Sequence, residues 1–262
     1  MSAVFYQHSW PLIRNEVCLA VLDYLNNSIF DTSINDTFIT LIPKVKDPTR
    51  ITEYMPINLC NVLYKLIAKV LDNRLKKVLP HIISPNQSAF IPGHLILDNV
   101  LVAFEALHTM DTCMIGRKGY MALKLDMRKA YNWVEWDFLE AIMTKLGFDG
   151  QWVEMVMTCV RTVSYSVLIN RQPYGKIVPT QGIRQGDPIS PYLFILLAEA
   201  LSTLLLRAEL EGRISRLPIT KRGTKINHLF FVDDSLLFCR ANAVEWAHVQ
   251  EILVTYERAS GQ

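Results

Sequence analysis

The chain carries no metal-binding or disulfide pattern. Its five cysteines, Cys18, Cys60, Cys113, Cys159 and Cys239, are scattered, with no CxxC pair and none at ligand spacing from a histidine. A zinc site or disulfide framework is therefore not expected, and a reducing intracellular compartment, nucleus or cytoplasm, is the default. The opening "MSAVFYQHSW" lacks the charged n-region and apolar core of a secretory signal. Uninterrupted apolar runs are scarce as well. The most membrane-like stretch, residues 189–206, has Glu199 in its middle and Pro191 near its start, so it reads as a buried helix, and no membrane partner is expected. Net charge is small, at +2, which removes any global electrostatic argument for a nucleic-acid partner. Repeats, low-complexity tracts and long linkers are missing too.

What is present is a globular composition, 50% hydrophobic over 262 residues, enough to bury a sizeable core. Charge is uneven locally. Lys44, Lys46, Arg50, Lys65, Lys69, Arg74, Lys76 and Lys77 face only Asp47, Glu53 and Asp72 in the same stretch, and Arg213 to Lys225 has five basic residues and no acid. Such stretches fit either a polyanion partner or solvated helix faces. Hydrophobic periodicity predicts a helical lead-in, a strand "TFITLIPK" ending at Pro43, and a loop or short hairpin over "KVKDPTRITEYMPINLC". An amphipathic helix is expected over about 61–79 and another up to about Thr109. Next come a strand "GYMALKLDM", a helix over 137–160, and a hairpin with its turn at Arg171–Gly175. A long helix over 190–211, a second hairpin and a final helix follow. Strands separated by helices, with hairpins among them, point to an α+β class.

The second hairpin, "HLFFVDDSLLF", sets Asp233 beside Asp234 between two apolar runs. Alone, it reads as a hairpin turn rather than a catalytic site. Two further segments bear on it. In "ALKLDMRKAYNWVEW" an apolar strand delivers Asp126, and Tyr131 follows. In "QGIRQGDPISPYLF" Gly182 and Gly186 allow close backbone approach before a long helix. Each has a plainer reading, as a helix N-cap or an ordinary loop.

In this order the segments resemble reverse transcriptases, most specifically those of plant-type non-LTR (LINE) retrotransposons. The resemblance is carried by "TFITLIPKVKDPTRITEYMPINLCNVLYKLIAKVLDNRLKKVLPHIISPNQSAFIPGHLILDN", "KLDMRKAYNWVEWDFL", "GIRQGDPISPYLFIL" and "HLFFVDDSLLF", and runs over nearly the whole chain. It implies an α+β fingers-and-palm fold, with an antiparallel palm sheet flanked by helices. It divides the chain into a lead-in (1–36), fingers (37–118) and an incomplete palm (119–262) without a thumb. It implies RNA-directed DNA polymerisation, with Asp126, Asp233 and Asp234 as catalytic metal ligands for two Mg²⁺ ions, or Mn²⁺ in their place. Partners would be an RNA template, a DNA primer and deoxynucleoside triphosphates. Lys44, Tyr131, Gln185 and Gly186 would meet the nucleotide, Tyr131 crowding a ribose 2′-hydroxyl, while Lys65, Lys69 and Lys76 would track template phosphates.

The chain departs from the family pattern at four positions. Met55 stands where an arginine is usual, His94 where "PGR" is usual, Asn132 for an aspartate and Val232 for an alanine. The first two remove fixed positive charge and the third an anion. Two functions therefore stay open: a working polymerase domain, or a catalytically silent nucleic-acid-binding remnant of the same element.

Overall fold

The computed structural model describes residues 3–27, 31–93, 95–112, 119–127, 130–219, 225–232 and 234–262. His94 and Asp233 lie outside the described residues. The chain forms two compact units, one made of Met1–Leu75 with Met143–Ser190 and the other of Lys76–Ile142 with Pro191–Gln262.

The first unit holds helices α1 (Ala3–Asn27), α2 (Val62–Leu75) and α6 (Gly150–Arg161) with strands β1 (Asp36–Pro43), β2 (Tyr54–Leu59), β4 (Ser164–Ile169) and β5 (Gln172–Ile177). The strands form one mixed sheet in the order β2-β1-β4-β5. The Pro-containing stretch after Pro43 returns as β2, antiparallel to β1 with Pro43 opposite Tyr54, so the hairpin alternative holds there. The expected helix to residue 79 ends at Leu75, and a short helix α3 (Leu79–Ile82) follows, with Pro80 in its first turn where a missing N–H costs nothing. The single helix expected over 137–160 is two. α5 (Trp136–Lys145) closes before Gly147, at φ +86°, and Asp149 caps α6 by accepting from the Gln151 N–H at 2.9 Å.

The second unit is built on the antiparallel sheet β3-β9-β8, from β3 (Tyr120–Asp126), β8 (His228–Phe231) and β9 (Asp234–Arg240). Alternation sets its two faces. Met121, Leu123 and Leu125 share one face with Phe230, Leu237 and Cys239. They pack on Ala198, Leu201 and Leu205 of α7 (Ser190–Leu210) and on Val249, Ile252 and Tyr256 of α8 (Ala243–Ser260). Leu229, Leu236 and Phe238 on the opposite face pack with Ala106 of α4 (Ile96–Thr112). Leu217 of β6 (Leu217–Pro218) and Ile226 of β7 (Lys225–Ile226) complete that layer. The N-terminal half of α7 is apolar all round because it is buried all round, Leu193 to Leu197 being fully covered. Its one mid-helix acid, Glu199, accepts the Ser84 N–H at 2.9 Å, and burial raises its carboxyl above the usual range. Among the described residues no helix is long and apolar enough to cross a membrane.

Candidate active site

β3 and β9 run antiparallel with Asp126 directly opposite Asp234 at the end of the ladder. Opposed residues in such a pair project to the same face, with Cβ atoms about 5 Å apart. Two exposed carboxylates are thus presented side by side at one end of the sheet. The β8–β9 connection is very tight. Phe231 on β8 pairs with Asp234 on β9. Val232 has φ +55°, a left-handed conformation that a β-branched residue rarely adopts. Backbone strain is therefore stored one residue before the adjacent aspartates.

Lys124 lies two residues before Asp126, so it shares the aspartate face. Its Nζ is 3.1 Å from Asp234 Oδ1, with both side chains more than half exposed. In water such a pair is worth at most about 1 kcal/mol, yet it places a cation where two anions would otherwise repel. Next to Asp234 and Lys124, between the sheet and Val100 and Ala103 of α4, lies a largely apolar cavity of about 460 Å³. Asn99 of α4 donates to the Phe230 carbonyl at 2.9 Å and fixes the helix on this edge. On the β8 edge Gln87, within the turns of the "SPNQSAF" segment, forms a single parallel bridge to Phe230.

Carboxylate oxygens are the donors that a hard divalent cation takes, and Asp126 with Asp234 supplies two carboxylates from neighbouring strands. The residues present fit a Mg²⁺ site on donor type and on sharing one face. Among the described residues no group of three or more His, Cys, Asp or Glu is placed to hold a metal; the third expected ligand, Asp233, is outside them.

Tyr131 stacks on Phe194 of α7, ring centroids 5.3 Å apart and planes 15° from parallel. That contact holds its ring in a fixed plane. Gln185 and Gly186 are exposed in the first unit. Asn58 donates to the Gln185 carbonyl at 3.0 Å, and Gly186 has φ +85° with open space where a Cβ would stand. Their neighbours Arg184 and Asp187 are buried. Tyr64 donates to Asp187, Arg184 lies 4.3 Å over the Tyr64 ring and donates to Asn35, and the Ile189 N–H donates to Asp187 at 3.2 Å. Burial raises the Asp187 carboxyl, opposed by Arg184 and by the hydrogen bond from Tyr64. The two charges of "GIRQGDP" thus hold the loop from inside while the residues between them project outward.

The three expected lysines fall on different elements. Lys65 and Lys69 are exposed on α2, Lys69 pairing with Asp72 at 2.6 Å, whereas Lys76 lies past the helix end with its ammonium 4.9 Å over the Tyr192 ring. Lys44 is exposed just after β1, its Nζ 3.4 Å from the Thr52 carbonyl. Met55, in β2 opposite Ile42, is 44% exposed. Lys124, Arg184 and Asp187 were not singled out from sequence. For Lys124 a signal existed, since period two puts it beside Asp126.

Residues 42–261 match the family described as reverse transcriptase (RNA-dependent DNA polymerase). The chain belongs to that family. Its relatives include proteins of LINE-type, non-LTR elements. It is 28% identical over 258 residues to a 149 kDa transposon TX1 protein of Xenopus laevis, covering 98% of this chain and 19% of that one. It is 29% identical over 201 residues to a Pol polyprotein from retrotransposable element R2 of Popillia japonica, covering 76% and 26% respectively. The chain therefore spans about a quarter or less of these relatives' length. Among solved structures it resembles telomerase from Candida albicans in complex with a telomeric RNA fragment. There the TM-score is 0.56 at 14% identity, over 88% of this chain and 41% of that one. Apo telomerase from Candida tropicalis gives a TM-score of 0.52 at 12% identity, over 88% and 49%. At these identities the likeness concerns the fold, which is the reverse-transcriptase fingers-and-palm fold.

Proposed function

We propose that this domain extends a DNA primer along an RNA template with deoxynucleoside triphosphates, using Asp126, Asp233 and Asp234 to hold two Mg²⁺ ions. The single observation that carries the reading is the register of Asp126 opposite Asp234 at the end of the palm sheet, in a chain of this family. Bound there, the ions would supply Lewis acidity to a primer 3′-hydroxyl and to a leaving pyrophosphate. The chain's own residues have distinct tasks. Asp126 and Asp234 present oxygens on one face, and Lys124 balances the charge of Asp234 when the face is otherwise unpaired. Tyr131, held flat on Phe194, would exclude a ribose 2′-hydroxyl and so select deoxynucleotides. Gln185 and Gly186 would offer exposed loop surface to the base pair, with Lys44 reaching triphosphate oxygens. Lys65, Lys69 and Lys76 would meet template phosphates.

A second reading is favoured by one observation. The half-exposed thioether of Met55 offers no anion contact in the place of the arginine usual to the family, which fits a remnant that binds RNA without catalysis.

Addition of a single complementary nucleotide to a DNA primer on an RNA template distinguishes them. The polymerase reading predicts incorporation of the deoxynucleotide over the ribonucleotide, abolished by EDTA. Folded protein that binds the primer–template but adds nothing in Mg²⁺ or Mn²⁺ would favour the silent remnant.

A further inference from the structure

The basic stretch Arg213–Lys225 has no acid of its own, but the fold supplies acids to part of it. Arg213 pairs with Glu251 of α8, and Arg216 with Glu209 of α7. Glu209 keeps its second oxygen on the Asn227 amide, which donates to it at 2.8 Å. Lys225, on β7, is exposed and has no ion-pair partner among the described residues. Arg240, at the end of β9, has a buried Nε without a hydrogen-bond partner. Lys225, Arg240 and the Arg216–Glu209 pair line one polar cavity of about 520 Å³, with Tyr120 and Ser215 in its wall. Glu245 stands behind that wall, already satisfied by the N–H groups of Ser215 and Arg240 at 2.8 and 3.0 Å and by the Ser215 hydroxyl at 2.8 Å. Arg216 and Glu209 cancel, so the lining carries two uncommitted cations, only partly offset by Glu245 behind it.

The cavity is not part of the carboxylate site. Tyr120 pairs with Arg240 at the far end of the same ladder on which Asp126 pairs with Asp234. Six steps of extended strand separate them, about 20 Å at roughly 3.4 Å per residue.

We propose that this cavity is a second nucleic-acid site, which takes a backbone phosphate of single-stranded RNA on Lys225 and Arg240. Tyr120 gives the adjoining base a ring to stack on, and stacking beside cations is the recognition chemistry of single strands. The proposal rests on the reading of this domain as one that handles RNA, and it adds a contact that reading does not contain.

The test is fluorescence anisotropy of a short fluorescein-labelled oligouridylate across a KCl series, with the parent chain, Lys225→Gln, and Lys225→Gln combined with Arg240→Gln. Lys145→Gln, an exposed lysine on α5, is the charge control. Each cavity cation lost should weaken binding about fivefold. It should also flatten the log–log salt slope by about 0.7. The control should do neither. Because Lys225 is exposed, its single variant remains a valid test if the double variant fails to fold. Unchanged affinity and slope in Lys225→Gln would overturn the proposal, while nucleotide incorporation by the parent chain would leave the polymerase reading standing. Polyglutamate displacing the label as well as unlabelled oligouridylate does would also overturn it, by assigning the cavity to an acidic peptide. If the parent chain adds no nucleotide but the Lys225 effect is present, the cavity stands and the polymerase reading falls.

Discussion

Val232 is the residue at which strain and candidate chemistry meet. A valine at φ +55° costs on the order of 1–2 kcal/mol. Glycine would relieve that cost at the expense of a more flexible unfolded chain. Val232→Gly should therefore raise stability by about 0.5–1 kcal/mol in urea unfolding, and a loss of stability would show that the turn is unstrained. His228 gives a second residue-scale expectation. It is fully buried, accepting from Ser202 Oγ at 2.9 Å and donating to Asn227 at 2.6 Å. Burial, helped by Arg216, holds its pKa down to about 3. The unfolded chain takes up the proton near pH 6.5 and the folded chain does not, so stability falls as pH drops below that value. Urea unfolding at pH 5 should read about 2 kcal/mol lower than at pH 7 from this group alone. His228→Gln should flatten that slope, and an equal slope in the variant would assign the acid sensitivity elsewhere.

At the scale of the element, the Gln-Gly loop divides its residues between inside and outside. Asp187→Ala leaves the Arg184 guanidinium buried beside Tyr64 without its carboxylate, which should cost about 3–5 kcal/mol in chemical denaturation. Gln185→Ala, on the exposed side, should stay within about 0.5 kcal/mol. Comparable losses in both would mean that the loop is not held from within. This division was not legible in the sequence, where opposite charges three apart read as an ordinary loop and helix start. The palm strands were legible, because "GYMALKLDM" alternates strictly and alternation decides which residues share a face. The β4–β5 turn was not. Its glycine drew the turn toward Gly175, but the tight turn is Asn170–Arg171, both at positive φ, and Gly175 lies inside β5. The break between α5 and α6 was missed because apolar periodicity carries across Gly147, although a glycine followed by a capping Asp149 marks a helix end and a new start.

At the scale of the molecule, the family and its fold follow from ordered segments whose separate readings are ordinary. What the sequence could not supply was the internal partnering of charge. Arg213, Arg216 and Lys225 look alike in a row, and only the packing of α7 and α8 against the hairpin region separates the paired from the free. The same holds at the carboxylates, where Lys124 joins Asp234 across the ladder. We propose that these carboxylates carry metal-dependent, RNA-templated DNA synthesis. The most direct test is primer extension on an RNA template with all four deoxynucleotides in Mg²⁺, comparing the parent chain with Asp126→Asn and Asp233→Asn. Extension by the parent chain is expected, with a loss of at least about a hundredfold in each variant and primer–template binding retained. Extension that survives both substitutions, or that is missing from a folded, RNA-binding parent chain, would contradict it.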